Sequence, residues 1–303
     1  MSPRREPAAA TALFAVVVAA GCGLGPGADV GSVSLTVTHD YGATPVLERP
    51  AQDVNESDTV MRVLDRNAAI TTRYGGGFVQ SIDGVEGSHT GGRLSDWFFY
   101  VNGIESSVGA ADYSLADGDR IWWDYRDWNA AMHVPAVVGS YPEPFATGYE
   151  GKPRTTELDC KSAGPACARV KAALRRAGAD LVAAGKSGIR VLVGPWSALR
   201  DDPVAGRIEA GPQSSGVFAD FVPVAGGVRL FGLDEDGRPR SAIGADAGLV
   251  AATRRYDEPL VWVVTGTTSA GVRAAAGLLD PADLRDHYAV AIEDGKETPL
   301  PLR

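Results

Sequence analysis

Chemistry in this chain of 303 residues would have to come from a sparse set of reactive side chains: three cysteines, Cys22, Cys160 and Cys167, and four histidines, His39, His89, His133 and His287. The histidines are scattered and none pairs in sequence with the cysteines, whereas a structural zinc site wants four ligands, mostly in closely spaced pairs. Gly185-Lys186-Ser187 ends like a phosphate-cradling loop, but six residues separate it from Gly178 where that loop has four, and the intervening segment reads as helix. Neither Gly-x-Ser-x-Gly nor His-Glu-x-x-His occurs. Asp234-Glu-Asp-Gly reads as a hairpin turn, because a calcium loop needs ligands at alternating positions and a distal glutamate. His133, alone beside a proline-rich stretch, reads as a surface histidine. The expectation is a non-catalytic protein with no catalytic cofactor and no metal site.

What the sequence does concentrate is rings. Trp97, Phe98, Phe99, Tyr100, Tyr113, Trp122, Trp123, Tyr125 and Trp128 fall within thirty-two residues and include four of the six tryptophans. In strands, Trp97 and Phe99 oppose Phe98 and Tyr100, and Trp123 and Tyr125 oppose Trp122 and Asp124, so rings occupy both faces. A sheet backed by one helix covers only one of them. The other face then either packs on a second domain, lines a ligand groove or meets a protein partner, since contiguous exposed aromatic surface marks recognition. The candidate ligand-binding residues are Trp97, Tyr100, Asn102, Trp122, Trp123, Asp124, Tyr125 and Trp128, with Asn102, Asp124 and Tyr125 supplying hydrogen bonds.

The N-terminus has the parts of a secretory signal: Arg4 and Arg5, an apolar run from Ala8 to Ala20, then small residues. The run is shorter than the roughly 20 apolar residues of a membrane span. Ala19-Ala20-Gly21-Cys22 looks like a bacterial lipobox, departing from it at Ala19 where leucine is usual, and implies cleavage after residue 21 and acylation of Cys22. Each methylene of the acyl chain would add about 0.8 kcal/mol of membrane affinity. The expected location is the outer face of the cytoplasmic membrane. In an exported protein, Cys160 and Cys167, seven positions apart, read as a local disulfide.

Residues 23–31 read as a flexible glycine-rich tether. Val33-Ser-Leu-Thr-Val-Thr alternates as a half-buried strand. Val60, Val63 and Leu64 share a helical face, with Asp58 as N-cap and Asn67 near the end. Strands then run into Asp83-Gly84 and Asn102-Gly103, both hairpin signals, and out of Asp117-Gly118-Asp119 into Arg120-Ile-Trp-Trp-Asp-Tyr. This order, a strand, a helix and hairpin-linked strands, predicts an α+β, β-grasp-like domain over 32–130 with a mostly antiparallel sheet. Residues 131–153, with Pro135, Pro142, Pro144 and Pro153, read as a connector laid across the surface. A second domain of α/β or α+β type follows over 154–303. Its strands are expected at Thr155–Asp159, Gly188–Gly194, Val217–Val222, Arg229–Leu233 and Leu260–Val264. Its helices are expected at Cys167–Ala177, from Ser197, at Asp246–Arg255 and at Ala270–Leu279. Gly194 and Gly266 each end a strand before a helix, where free N–H groups could hold an anion, but a glycine there is needed first to turn the chain. Net charge is −9, and from Val30 to Glu150 there are 17 acidic residues against 7 basic ones. No basic cluster suits a phosphate backbone, so nucleic acid is not an expected partner.

Asp96-Trp-Phe-Phe-Tyr-Val-Asn-Gly-Ile-Glu, Val108-Gly-Ala and Tyr113-Ser-Leu-Ala-Asp-Gly-Asp-Arg-Ile-Trp-Trp-Asp-Tyr, together with the helix Thr59–Arg66 and Gly77-Phe-Val-Gln-Ser-Ile-Asp-Gly, resemble the transcobalamin C-terminal-like domain family over about 32–128. The resemblance implies a small domain that closes over a corrinoid held against a larger helical domain, and exported or anchored bacterial members. No large helical partner domain is present in this chain. What it implies here is a cell-surface lipoprotein binding a cobalamin-like or other flat amphipathic ligand, with an uptake transporter as partner. The alternative is a structural or protein-interaction lipoprotein with no small ligand.

Overall fold

A computed structural model describes residues 27–185, 187–255 and 258–303. The expected signal peptide, Cys22 and the first residues of the expected tether lie outside the described residues. Among the described residues there are nineteen strands and six α-helices. The fold is α+β, dominated by sheet.

The first sheet is built from β1 (Asp29–His39), β2 (Thr44–Asn55), β6 (Ser88–Thr90), β7 (Arg93–Val101), β8 (Ile104–Glu105) and β9 (Arg120–Asp127), in the order β2-β1-β9-β7-β6 with β8 paired to β7. Strands β1 and β9 are parallel, and the other pairs are antiparallel. Between β2 and β6 lie α1 (Val60–Asp65) and the small antiparallel sheet of β3 (Ile70–Arg73), β4 (Phe78–Ile82) and β5 (Val85–Glu86). Alternation in β1 sends Val33, Leu35 and Val37 into one core with Val60, Val63 and Leu64 of α1. Thr59, and not Asp58, caps α1, its hydroxyl accepting from the Arg62 N–H. Asp58 is instead held by the Asn55 N–H at 3.0 Å and by Arg66. The start of β1 also takes Asp29–Gly31 out of the expected tether.

A second sheet has the order β11-β10-β12-β17-β16-β18-β19. Its strands are β10 (Thr155–Cys160), β11 (Asp180–Val182), β12 (Ile189–Pro195), β16 (Gly248–Thr253), β17 (Leu260–Gly266), β18 (Ala289–Glu293) and β19 (Lys296–Leu300). The first four in that spatial order are parallel and the last three pair antiparallel. Helices α2 (Pro165–Arg176) and α5 (Ser269–Ala275) pack into the core on one face. The other face meets α3 (Trp196–Leu199), α4 (Pro212–Ser215) and a meander of β13 (Ala219–Val224), β14 (Gly227–Leu233) and β15 (Pro239–Ile243), with Trp196 stacked on Phe221 at 4.3 Å. A last short helix, α6 (Pro281–Leu284), leads into β18. Among the described residues no helix is long and apolar enough to cross a membrane.

Two expectations are corrected. The helix expected over Asp246–Arg255 is β16, whose six residues are all buried between β17 and β18. A short run such as Gly-Leu-Val-Ala-Ala-Thr has no polar face to betray its period, so periodicity alone cannot separate buried strand from buried helix. The stretch 131–153 does not lie on the surface: Val134, Ala136, Val137, Val138, Tyr141, Phe145 and Tyr149 are buried. It is wedged between the sheets. Val137 N–H donates to Gly103 O at 2.9 Å on the first-sheet side, while Tyr141 OH donates to Ala173 O at 3.2 Å and the Phe145 ring meets Trp262 edge-on at 5.0 Å on the other. Its prolines signalled irregular backbone correctly, but its alternating apolar side chains carried the burial.

Gly194 and Gly266 are explained by close packing: a β-carbon would sit 2.2 Å from Lys161 O at the first and 2.6 Å from Gly271 C at the second. Cys160 and Cys167 form a disulfide joining the end of β10 to the first turn of α2. It closes a short loop, so loop-closure entropy assigns it about 2.5 kcal/mol. Replacing both cysteines by serine should lower the urea unfolding free energy by about that amount, and an unchanged midpoint would contradict a structural role.

Candidate functional site

Strand pairing divides the aromatic block into two sets. Trp97, Phe99 and Val101 of β7 lie opposite Tyr125, Trp123 and Ile121 of β9, and Phe98 and Tyr100 lie opposite Asp124 and Trp122. Only the first set faces α1.

The second set is sealed by the second sheet. Tyr100, Trp122 and Tyr41 join Tyr288, Phe218 and Leu249 in one core. Tyr288, just ahead of β18, sits edge-on to three rings, with centroids at 5.0 Å from Tyr41, 5.7 Å from Tyr100 and 5.4 Å from Trp122. At the centre is Asp124, fully buried. Its carboxylate accepts from Thr38 Oγ1 at 2.6 Å, Tyr41 N at 2.9 Å, Gly42 N at 3.1 Å and Tyr288 OH at 3.0 Å. Trp122 Nε1 donates to Thr38 Oγ1 at 2.8 Å, and Tyr100 OH to Tyr288 OH at 3.2 Å. Burial pushes the Asp124 carboxyl up from the ordinary aspartate range, and the donors from Thr38, Gly42 and Tyr288 oppose that rise. Arg126, also fully buried, donates to Ala131 O at 2.7 Å and Met132 O at 3.0 Å and lies 3.8 Å above the Phe98 ring. It thereby fastens the start of the 131–153 segment to the sheet.

Asn102 is structural as well. It occupies the left-handed position of the hairpin turn, with φ 55°. From there its amide donates to Asp119 Oδ1 at 2.8 Å and Gly148 O at 2.9 Å and accepts from Arg120 N at 2.8 Å. Tyr100, Asn102, Trp122 and Asp124 are therefore inside the protein and bonded to it, not on an open face. Tyr125 and Trp128 are half-buried. The Tyr125 hydroxyl donates to Glu86 O at 2.9 Å, and the Trp128 N–H donates to Leu94 O at 2.8 Å.

An opening does exist beside the first set of rings. A cleft of about 200 Å³ is lined by Gly77, Phe78, Val79, Trp97, Phe98, Phe99, Glu105, Ser106, Gly109, Ala110 and Trp123. Phe99 and Trp123 stack at 4.9 Å along it. Tyr74, Phe78 and Val108, three of the few exposed large apolar residues, flank the same region, with Tyr74 85% exposed. Tyr74 and Phe78 meet edge-on at 6.2 Å across a turn that includes Gly75 and Gly76, both at positive φ with nothing near their missing side chains. Trp123 Nε1 is buried with no hydrogen-bond partner in the protein. The polar lining is thin. Burial raises the Glu105 carboxyl, the hydrogen bond from His133 at 3.1 Å opposes the rise, and Ser106 Oγ is committed to Val108 O at 2.8 Å. Such a surface can hold the edge of an apolar or aromatic group, but no nucleophile with a base stands there.

Of the sequence-predicted residues, the cleft brings together Trp97 and Trp123. Phe78, Phe99 and Tyr74 were not among them. Phe78 opens a strand after a glycine run, a position where a large ring has little to cover it. Thr38, Tyr41, Arg126 and Tyr288 were also missed, although Arg126, two residues past Asp124, was readable as a charge on the sealed face. Among the described residues no group of three or more histidine, cysteine, aspartate or glutamate side chains could hold a metal ion.

Residues 57–127 match the model of a family described as a domain of unknown function (DUF4430). That span contains α1, β7, β9 and every residue lining the cleft. No curated protein matches the chain. Among solved structures, one from Ruminococcus gnavus, described as a proposed metal binding protein, is 16% identical and covers 32% of this chain and 98% of its own, with a TM-score of 0.25. That likeness is too weak to carry an argument.

Tyr288→Phe deletes one of the four donors to the buried Asp124 and should cost about 1–3 kcal/mol in urea unfolding. Tyr100→Phe leaves the carboxylate fully bonded and should cost less. Equal losses would show that Asp124 does not depend on the second sheet.

Proposed function

We propose that this chain is a non-catalytic, exported lipoprotein, anchored through Cys22, whose first domain is a β-grasp-like member of the transcobalamin C-terminal-like group and binds a flat amphipathic ligand at the Phe78–Phe99–Trp123 cleft. The observation that carries the reading is an open, aromatic-walled cleft flanked by the exposed rings of Tyr74 and Phe78.

The size of the cleft sets the mode. Pockets for drug-sized molecules run from about 300 Å³ upward, so this one takes an edge or arm of a larger ring system and leaves the rest lying on Tyr74, Phe78 and Val108. A corrinoid, broad and apolar across its ring with amide arms at its rim, has that form. Handing the ligand to an uptake transporter follows from tethering at the outer membrane face. Sealing of the Trp122 side by the second sheet restricts the ligand to the α1 side.

Titrating the chain lacking residues 1–22 with cyanocobalamin, with inner-filter correction, should quench tryptophan fluorescence saturably. Phe78→Ala, at a 40% exposed position, should weaken the binding roughly tenfold, as loss of an aromatic stacking contact does, and leave unfolding cooperative. No saturable quench would leave the interaction lipoprotein without a small ligand as the standing account. Anchoring is tested separately: cells expressing the full chain should incorporate radiolabelled palmitate into it, and Cys22→Ala should abolish the label. Label retained in that variant would remove the anchor from the proposal.

A further inference from the structure

A second opening, on the opposite side of the first sheet from the aromatic cleft, has a different chemistry. The parallel register sets Ser34 beside Arg120 and Thr36 beside Trp122, and the antiparallel register sets Glu48 beside Thr36. These residues form the floor of a crevice of about 160 Å³. Its roof comes from Gly139-Ser140 of the segment wedged between the sheets and from Arg285-Asp286 ahead of β18. The walls are held close: a β-carbon at Gly139 would lie 2.8 Å from both Trp122 Cζ3 and His287 N. At roughly 30 Å³ per water molecule the space holds about five, or one tetrahedral oxyanion with partial hydration.

Arg120 and Arg285 line it; Arg49 also borders it, but its register with Leu35 puts its side chain on the α1 face of β2. Each of the two guanidinium groups is tethered through Nη1: Arg120 to Tyr141 O at 3.2 Å and Arg285 to Glu48 Oε1 at 3.1 Å. A guanidinium has five N–H donors, so each keeps several to spare. Ser34, Thr36 and Ser140 add hydroxyls. Against these stand two carboxyls. Glu48 is engaged by Arg285, and Asp286, at φ 57°, is pushed up to about 6 by burial, opposed by Arg285 and Arg120 and reinforced by Glu48 and Asp124. The neighbouring His287 is pushed down, also by burial.

We propose that this crevice binds a small oxyanion of the phosphate, sulfate or carboxylate type, clamped by Arg120 and Arg285 between the two sheets. Two forked cations from separate segments, converging with the Ser34, Thr36 and Ser140 hydroxyls on a space of that size, match an oxyanion better than a neutral ligand. Asp286 makes the site acid-favoured. Ionised, it repels the anion; protonated, it stops repelling and can donate. Affinity therefore rises as pH falls through about 6.

Sulfate is the primary probe because its charge does not change over this range. Calorimetric titration of the chain lacking residues 1–22 should give saturable sulfate binding, competed by inorganic phosphate or succinate but not by chloride at equal ionic strength. Arg285→Gln, at an exposed position, should weaken it roughly tenfold, the usual effect of losing a charge-assisted bond. Arg120→Gln should do the same if it folds. Affinity should be higher one pH unit below the Asp286 value than one unit above, and Asp286→Asn should abolish that difference. Vesicles bearing phosphatidate distinguish a lipid headgroup from a free anion: co-sedimentation competed by phosphate assigns the headgroup, and its absence with sulfate binding intact assigns a soluble anion. No saturable heat with sulfate, phosphate or succinate, or unchanged affinity in Arg285→Gln, overturns the proposal.

Discussion

The structure depends on keeping one carboxylate satisfied out of water. Asp124 sits at full burial in β9, and an ionised carboxyl there is tolerable only while donors surround it. Two come from the backbone of the β1–β2 turn, one from Thr38 and one from Tyr288 of the other sheet. That last donor makes the packing of the two sheets more than an apolar contact, because separating them would strip a buried carboxyl of a partner. Arg126, two residues on, works in the same sense by taking carbonyls from the segment that leaves β9. An acid and a base on one strand face thus orient both the turn before the second sheet and the second sheet itself.

This arrangement decides which rings are available for recognition. Because Tyr288 must reach Asp124, its ring is driven among Tyr41, Tyr100 and Trp122, and that aromatic face is used up in the interior. The rings on the α1 side have a thinner cover of one short helix and a small three-stranded sheet, so space remains next to Phe99 and Trp123. The seal is also incomplete at its edge. Where the roof passes from Gly139 to Asp286, the floor strands present Ser34, Thr36 and Arg120 instead of rings, and a polar crevice replaces packed aromatics.

Much of this was legible from local pattern. Alternation in Val33-Ser-Leu-Thr-Val-Thr, the Asn102-Gly103 and Asp83-Gly84 turns and the apolar face of Val60, Val63 and Leu64 each specify an element through neighbours in sequence, and the structure has them there. The disulfide between Cys160 and Cys167 was legible from an even cysteine pair close in sequence in a chain expected to be exported, and the turn from β10 into α2 brings the two together. β16 was not, because Gly-Leu-Val-Ala-Ala-Thr is apolar on all sides and only its neighbours β17 and β18 make it a strand. Nor was the burial of 131–153, whose prolines describe backbone geometry and say nothing of what lies on either side.

The amino-acid order by itself determined that large rings would occupy both faces of β7 and β9, that Asp124 and Arg126 would share a face with Trp122, and that turns would fall at the Asn-Gly and Asp-Gly pairs, because strand period and positive φ are properties of adjacent residues. Only tertiary structure decided which face is closed. That choice rests on Tyr288, 164 residues from Asp124 in the chain, and on a connector whose burial needs both sheets in place. Contacts between segments so distant leave no periodic trace in either one. Which aromatic face stays uncovered was therefore set by docking of the second sheet, not by the aromatic residues that form it.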